Sequence, residues 1–227
     1  MPSNHNYDSY TPVTAHPGMA AAMYGEIFRK AGSVLNVAAG NTNLADDLRP
    51  IAPNTVVTAV DPIYSHSPYN NENYVQGMMQ ELPFEPESFD MTMCQFGLQH
   101  IPPSDVGKSI QEMIRVTRIA DGPKDDSKGV VLLNPIFRAD NLRNELDRRG
   151  LTEHSVAGIL PHTRSQFPLG VRKNVYPSLW IHKHEALNQE AINNLIDALI
   201  TSKSIRPRIR SLGEIATRYL RRGTSDL

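Results

Sequence analysis

Cysteine and long apolar runs are what this sequence has least of. A single cysteine, Cys94, stands among 227 residues, which excludes an intrachain disulfide and a cysteine-rich zinc module. No run approaches the ~18 consecutive apolar residues of a membrane span, so membrane insertion is not expected. Met1 to His16 is polar and lacks a basic stretch followed by an apolar core. A secretory leader is therefore not expected, and a cytoplasmic location is. Apolar residues make up 40% and charged residues 21%, enough of the former for one hydrophobic core.

The charges balance over the whole chain but not along it. Lys203 to Arg222 holds seven Lys and Arg against one acid, Glu214, whereas the residues before Lys203 hold 16 basic and 22 acidic side chains. A mildly acidic body with a basic end invites either a partner or its own masking. Leu212, Ile215, Ala216, Tyr219 and Leu220 keep helical spacing there, which predicts an apolar stripe. Two uses are expected for residues 203–222: a homodimer through the C-terminal helices, or contact with nucleic acid through the basic face.

Periods of two and of 3.6 alternate along the chain. Ser33–Ala38, Thr55–Val60, Phe89–Gln95 and Gly129–Asn134 read as buried strands, and Ser155–Leu160 with Ser178–His182 as a terminal antiparallel pair. Helical spacing marks Gly18–Lys30, Asn43–Ile51, a segment opened by Pro102-Pro103-Ser104, Asp140–Arg149, Gln189–Ile200 and Leu212–Arg222. Tyr64–Asn73 reads as a polar loop. The expected fold is α/β, a Rossmann-like doubly wound sheet of mostly parallel strands, with a terminal antiparallel strand and C-terminal helices. Residues 1–17 are expected as a flexible arm, 18–185 as the main domain and 186–227 as a helical, basic extension. In such sheets ligands sit at the carboxyl ends of the strands, near the point where strand order reverses.

Five segments lie on or beside these strands and the helix that follows Pro102-Pro103-Ser104. Val34-Leu35-Asn36-Val37-Ala38-Ala39-Gly40-Asn41 leads from the first strand into the next helix, and Val57-Thr58-Ala59-Val60-Asp61-Pro62 ends the second strand in an acid. Gln76-Gly77-Met78-Met79-Gln80-Glu81-Leu82-Pro83-Phe84 precedes Glu87-Ser88-Phe89-Asp90. Met91-Thr92-Met93-Cys94-Gln95-Phe96-Gly97-Leu98-Gln99-His100-Ile101 follows, and then Glu112-Met113-Ile114-Arg115-Val116-Thr117-Arg118. In this order they resemble the motifs of the class I S-adenosylmethionine-dependent methyltransferases, in the branch that includes quinone and other metabolite methylases.

The resemblance implies S-adenosylmethionine as cofactor and methyl transfer by in-line displacement, here to a small-molecule substrate. It implies cofactor contacts from Asn36, Ala38, Gly40, Asn41, Asp61, Pro62, Met78, Met79, Cys94 and Gln95, with Asp61 accepting from the ribose hydroxyls. The sequence also departs from the family pattern. Asn36 replaces the acid of the first motif, Ala38 and Thr42 replace its first and third glycines, and Met78 replaces the acid that accepts the adenine amino group. Weaker cofactor binding than the family norm is expected.

The same motif erosion supports an alternative, a catalytically inactive methyltransferase-like binding module for a protein or nucleic-acid partner. A nicotinamide-dependent dehydrogenase fits the ordered motifs less well. Methyl transfer needs alignment more than a protein nucleophile, and His100 is the one candidate catalytic residue. Cys94 reads as a buried apolar residue, and His182 with His184 as an accidental surface pair. No metal is expected.

Overall fold

The computed structural model describes residues 19–40, 44–62, 73–125, 127–154, 156–160 and 177–205, with side chains from Tyr24 onward. Residues 1–18, 41–43, 63–72, 126, 155, 161–176 and 206–227 lie outside the described residues, the expected N-terminal arm and last helix among them. Helix α1 (Met19–Phe28) precedes strand β1 (Ser33–Val37), and α2 (Leu44–Leu48) joins it to β2 (Val56–Asp61). Next come β3 (Asn73–Gln76), β4 (Met91–Gln95), α3 (Val106–Val116), β5 (Val130–Asn134) and α4 (Ala139–Arg148). The series closes with β6 (Ala157–Leu160), β7 (Ser178–His182) and α5 (Gln189–Thr201).

These strands form one sheet in the order β3-β2-β1-β4-β5-β7-β6. Strands β1 to β5 pair in parallel, while β7 runs antiparallel to both β5 and β6. The expected Rossmann-like sheet and its terminal antiparallel pair are present. Strand β3, whose first residue is Asn73, is an addition to the expected strands. Its NYVQ sequence is short and half-buried at a sheet edge, so it carries no apolar run to announce it.

Both faces of the sheet are covered, which explains why the strands read as continuous apolar runs rather than alternations. Leu35, Val37, Cys94, Val131 and Leu133 face a core shared with α3, α4 and α5. Val34, Val57, Met91, Met93 and Leu132 face the other core, beneath α1 and α2. Phe28, fully buried there, contributes roughly 1.5–3 kcal/mol to holding α1 down. Leu195, Ala198 and Leu199 place α5 within the same core as α3 and α4, so the packed unit continues past His184.

Local chemistry sets the helix ends. Gly150, at φ +70, follows α4; its N–H reaches Asp147 O at 3.0 Å and the Leu151 N–H reaches Leu146 O at 3.0 Å, the paired bonds of a Schellman stop. At α5 the Asn188 side chain accepts from the Ala191 N–H at 2.9 Å. The start of α3 differs from expectation: Pro103–Asp105 forms a 3-10 turn, and Ser104 Oγ donates to the Asp105 carboxylate rather than capping the backbone.

Candidate functional site

Strand order reverses between β1 and β4, and the crevice at their carboxyl ends is where the expected site residues meet. The chain turns immediately after β1. Ala38 has φ +55 and Gly40 φ +59, in the left-handed region where a Cβ is strained. Ala38 thus keeps the backbone shape that the missing glycine would have taken easily. Neighbouring strands hold the turn: Ala39 N–H donates to Val60 O at 3.2 Å and Gly40 N–H to Asp61 Oδ2 at 2.9 Å. The Tyr74 hydroxyl of β3 donates to the Gly40 carbonyl. No described residue lies within 4 Å of where a Cβ on Gly40 would point.

Asp61 is buried at the end of β2, and its own carbonyl accepts from Gly77 N–H at 3.1 Å. Pro62 O accepts from Gln76 Nε2 at 3.0 Å. A carboxylate offers about four acceptor positions, and Gly40 N–H fills one of those at Asp61.

The exit of β4 closes the other side. Phe96 has φ +65 and donates its N–H to Asn134 O at 2.6 Å, which starts the turn Gly97–His100. A Cβ on Gly97 would lie 2.6 Å from both Ala38 Cβ and Cys94 Sγ, and 3.1 Å from Met79 Cε. One residue therefore brings together the β1 loop, β4 and the methionine loop, and only glycine fits it. The sequence reading missed Gly97, although its place three residues after Cys94 in a motif was the available signal. Burial pushes the Cys94 thiol up to about 12 against the backbone donors of Leu98 and Gly97, so it is a neutral packing group. Met79 is buried, Met78 is half-buried in a bridge to Glu81, and His100 is half-buried at the end of its turn.

Two further motifs act as ties. Glu112 accepts from Leu82 N–H at 2.9 Å and from Arg115, while Arg115 donates to Leu82 O at 3.0 Å and Phe84 O at 2.9 Å. The bond to Arg115 is the main reason why the Glu112 carboxyl sits below its ordinary range. This pair on α3 fixes the loop that carries Met78 and Met79. Asp90 accepts from Gly32 N–H, Ser33 N–H and Arg118 Nη1 at 3.0, 2.8 and 2.6 Å, joining the start of β4 to the start of β1. Burial raises its pKa, but these donors outweigh it and the net shift is downward.

A row of neutral polar side chains crosses the carboxyl ends on the α1 side. Gln95 lies opposite Asn134 in register, Asn134 Nδ2 donates to Ser178 Oγ at 2.9 Å, and Ser178 Oγ meets the Tyr24 hydroxyl at 2.6 Å. Asn36 is buried on β1, one strand away. Gln95 Nε2 is buried with no hydrogen-bond partner among the described residues.

His182 and His184 are not a surface pair. They are 6% and 5% exposed, with ring centroids 5.2 Å apart, and His182 Nε2 lies 2.6 Å from Asp125 O. Because β7 is antiparallel, its end lies beside Val130, at the amino end of β5 and away from the crevice. No metal-binding cluster occurs among the described residues.

Residues 34–119 match a family described as a methyltransferase domain, a span that runs from β1 past α3 and includes Ala38, Gly40, Asp61, Met79 and Gly97. A comparison with curated proteins finds no match. Among solved structures, the chain is similar to 1,6-didemethyltoxoflavin-N1-methyltransferase of Burkholderia thailandensis, with 17% identity, 75% of this chain and 79% of that one covered, and a TM-score of 0.49. It is also similar to the YcgJ protein of Bacillus subtilis, with 15% identity, 72% and 98% covered, and a TM-score of 0.43. Human N-acetylserotonin methyltransferase gives 8% identity, 73% and 52% covered, and a TM-score of 0.46. Over residues 34–119, the chain is thus similar to a methyltransferase domain.

Proposed function

We propose that the protein transfers a methyl group from S-adenosylmethionine to a small molecule bound at the carboxyl ends of β1, β2 and β4. The observation that carries this reading is the β1 turn, held through Gly40 N–H to Asp61 Oδ2 at 2.9 Å, with no described residue within 4 Å of a Cβ on Gly40. The residues present fit the cofactor. Asp61 would accept from the ribose hydroxyls, the Ala38–Gly40 turn and Asn36 would face the methionine portion, and Met78 and Met79 would pack on adenine. Gln95 Nε2, a buried donor with no partner among the described residues, suits a carboxylate. When bound, the cofactor supplies an electrophilic sulfonium methyl.

The chain's own residues then have three tasks. Gly97 keeps the β1 and β4 loops in contact, the buried apolar side chains of Leu98, Ile101 and Met79 exclude water, and the crevice aligns the substrate nucleophile. Cys94, held as the thiol, takes no covalent part. His100 is the candidate acceptor for a proton leaving the substrate. No described helix is long and apolar enough to cross a membrane, and a cytoplasmic location accords with the reading. The basic segment 203–222, mostly outside the described residues, is assigned a binding role toward a second copy or nucleic acid.

Ultraviolet crosslinking with methyl-labelled S-adenosylmethionine tests the proposal. Label should enter the protein and be competed by S-adenosylhomocysteine but not by nicotinamide adenine dinucleotide. Competition by the dinucleotide alone would replace it with a dehydrogenase.

A further inference from the structure

The turn Gly97–His100 contains a second amide that the cofactor reading does not use. Gln99 is 2% exposed, and neither its Oε1 nor its Nε2 has a hydrogen-bond partner among the described residues. A buried primary amide is costly to leave unmatched, and it can serve a ligand as donor and acceptor at once. Its position ties it to the crevice. Two residues earlier, Gly97 packs on Ala38, Cys94 and Met79.

The methionine loop, which meets this turn at Gly97, offers a related group. Gln80, next to Met79, donates Nε2 to Asp105 Oδ2 at 3.2 Å, a bond that joins the methionine loop to the 3-10 turn after β4. Its Oε1 is buried with no partner among the described residues. Flanking Gln99, Leu98 and Ile101 are buried in the apolar core, and Cys94 beneath the turn is an uncharged thiol. A charged group brought into such surroundings would lose its hydration, and the nearby Asp105 carboxylate already accepts from Gln80. A neutral group with adjoining donor and acceptor would exchange its bonds to water for bonds to the amide.

We propose that Gln99, assisted by the Gln80 carbonyl oxygen, is the specificity-determining residue for a neutral substrate presenting an amide or lactam edge. The inference deepens the methyltransferase reading, since it names the substrate class of the same crevice. It does not require that reading for its test.

The test uses the full chain and four probes: uracil and hypoxanthine as neutral lactams, orotate and benzamidine as charged controls. Saturation-transfer NMR would measure each with and without S-adenosylhomocysteine, in the wild type, Gln99→Met and Gln99→Glu. Uracil or hypoxanthine should bind the wild type and the controls should not, with binding about tenfold weaker in either variant. Thermal unfolding of Gln99→Met should occur at the wild-type temperature or above, because no described residue bonds to the amide. Lactam binding that ignores the substitution, equal binding of orotate, or no lactam binding at all would overturn the assignment. So would a fall of several degrees in the Gln99→Met melting temperature, which would make the amide structural. Failure of S-adenosylhomocysteine to bind, with lactam binding intact and Gln99-dependent, would overturn the cofactor reading alone.

Discussion

Gly40 donates its backbone N–H to Asp61 Oδ2 at 2.9 Å, so the acid that ends β2 also shapes the loop that leaves β1. On the proposed function, loop geometry and ligand recognition are coupled through this one carboxylate. Asp61→Asn should keep the side chain's size while weakening both functions. We expect S-adenosylhomocysteine affinity to fall about 10–100-fold, from the loss of charge-assisted bonds of ~1.5–3 kcal/mol. Equilibrium dialysis measures it directly.

Ala38 occupies φ +55, where an L residue is strained. Ala38→Gly should raise stability by up to about 1 kcal/mol, because removing the Cβ relieves the left-handed strain. Gly97→Ala should do the reverse, costing about 1–3 kcal/mol by overpacking against Ala38 and Cys94. Combined, the two should recover part of that loss, since the opposing Cβ is gone. Denaturant melts of the three variants check the sign of each step and the coupling.

Arg115 lies on α3 yet holds the carbonyls of Leu82 and Phe84. Arg115→Ala should loosen the loop that carries Met78 and Met79. Cofactor affinity should drop about tenfold, while Arg115→Lys, which cannot form the forked contact, should rescue it only in part. Titrations with adenosine and with methionine separate the adenine side, which should suffer, from the methionine side, which should not.

The pH dependence of stability has a defined sign. Asp90 and Glu112 have pKa values below their ordinary 3.8 and 4.5, so their contributions are present above that range and are lost as pH falls through the lower folded values. His182 acts earlier. Burial, with His184 nearby, holds its pKa below 6.5, so the unfolded chain takes up a proton that the folded chain resists. Stability should start to decline below about pH 6.5 and fall steeply only below about pH 4. In His182→Gln the first decline should disappear, as urea melts from pH 8 to 3 would show.

Much of this was legible in the sequence because burial on both faces leaves an unmistakable signal. Val130–Asn134 and Val56–Asp61 are runs of apolar or β-branched residues that end in a polar side chain at the crevice. Strand β3 was not legible, because an edge strand of four residues needs no apolar pattern. Gly97 was overlooked for a different reason: its requirement arises from Ala38 and Met79, which are distant in sequence and meet only after folding. The His182–His184 pair was misplaced because two alternate strand positions give no sign of what packs over them. Glu112 and Arg115 stood out as a motif, but their task of holding the Leu82–Phe84 loop needed the tertiary contact to be seen.

Calorimetric titration of S-adenosylhomocysteine into the full-length wild type and into Asp61→Ala tests the central claim most directly. The account predicts saturable one-site heat in the wild type and its loss in a variant that still unfolds cooperatively. Undiminished heat in folded Asp61→Ala, or none in the wild type, would contradict it.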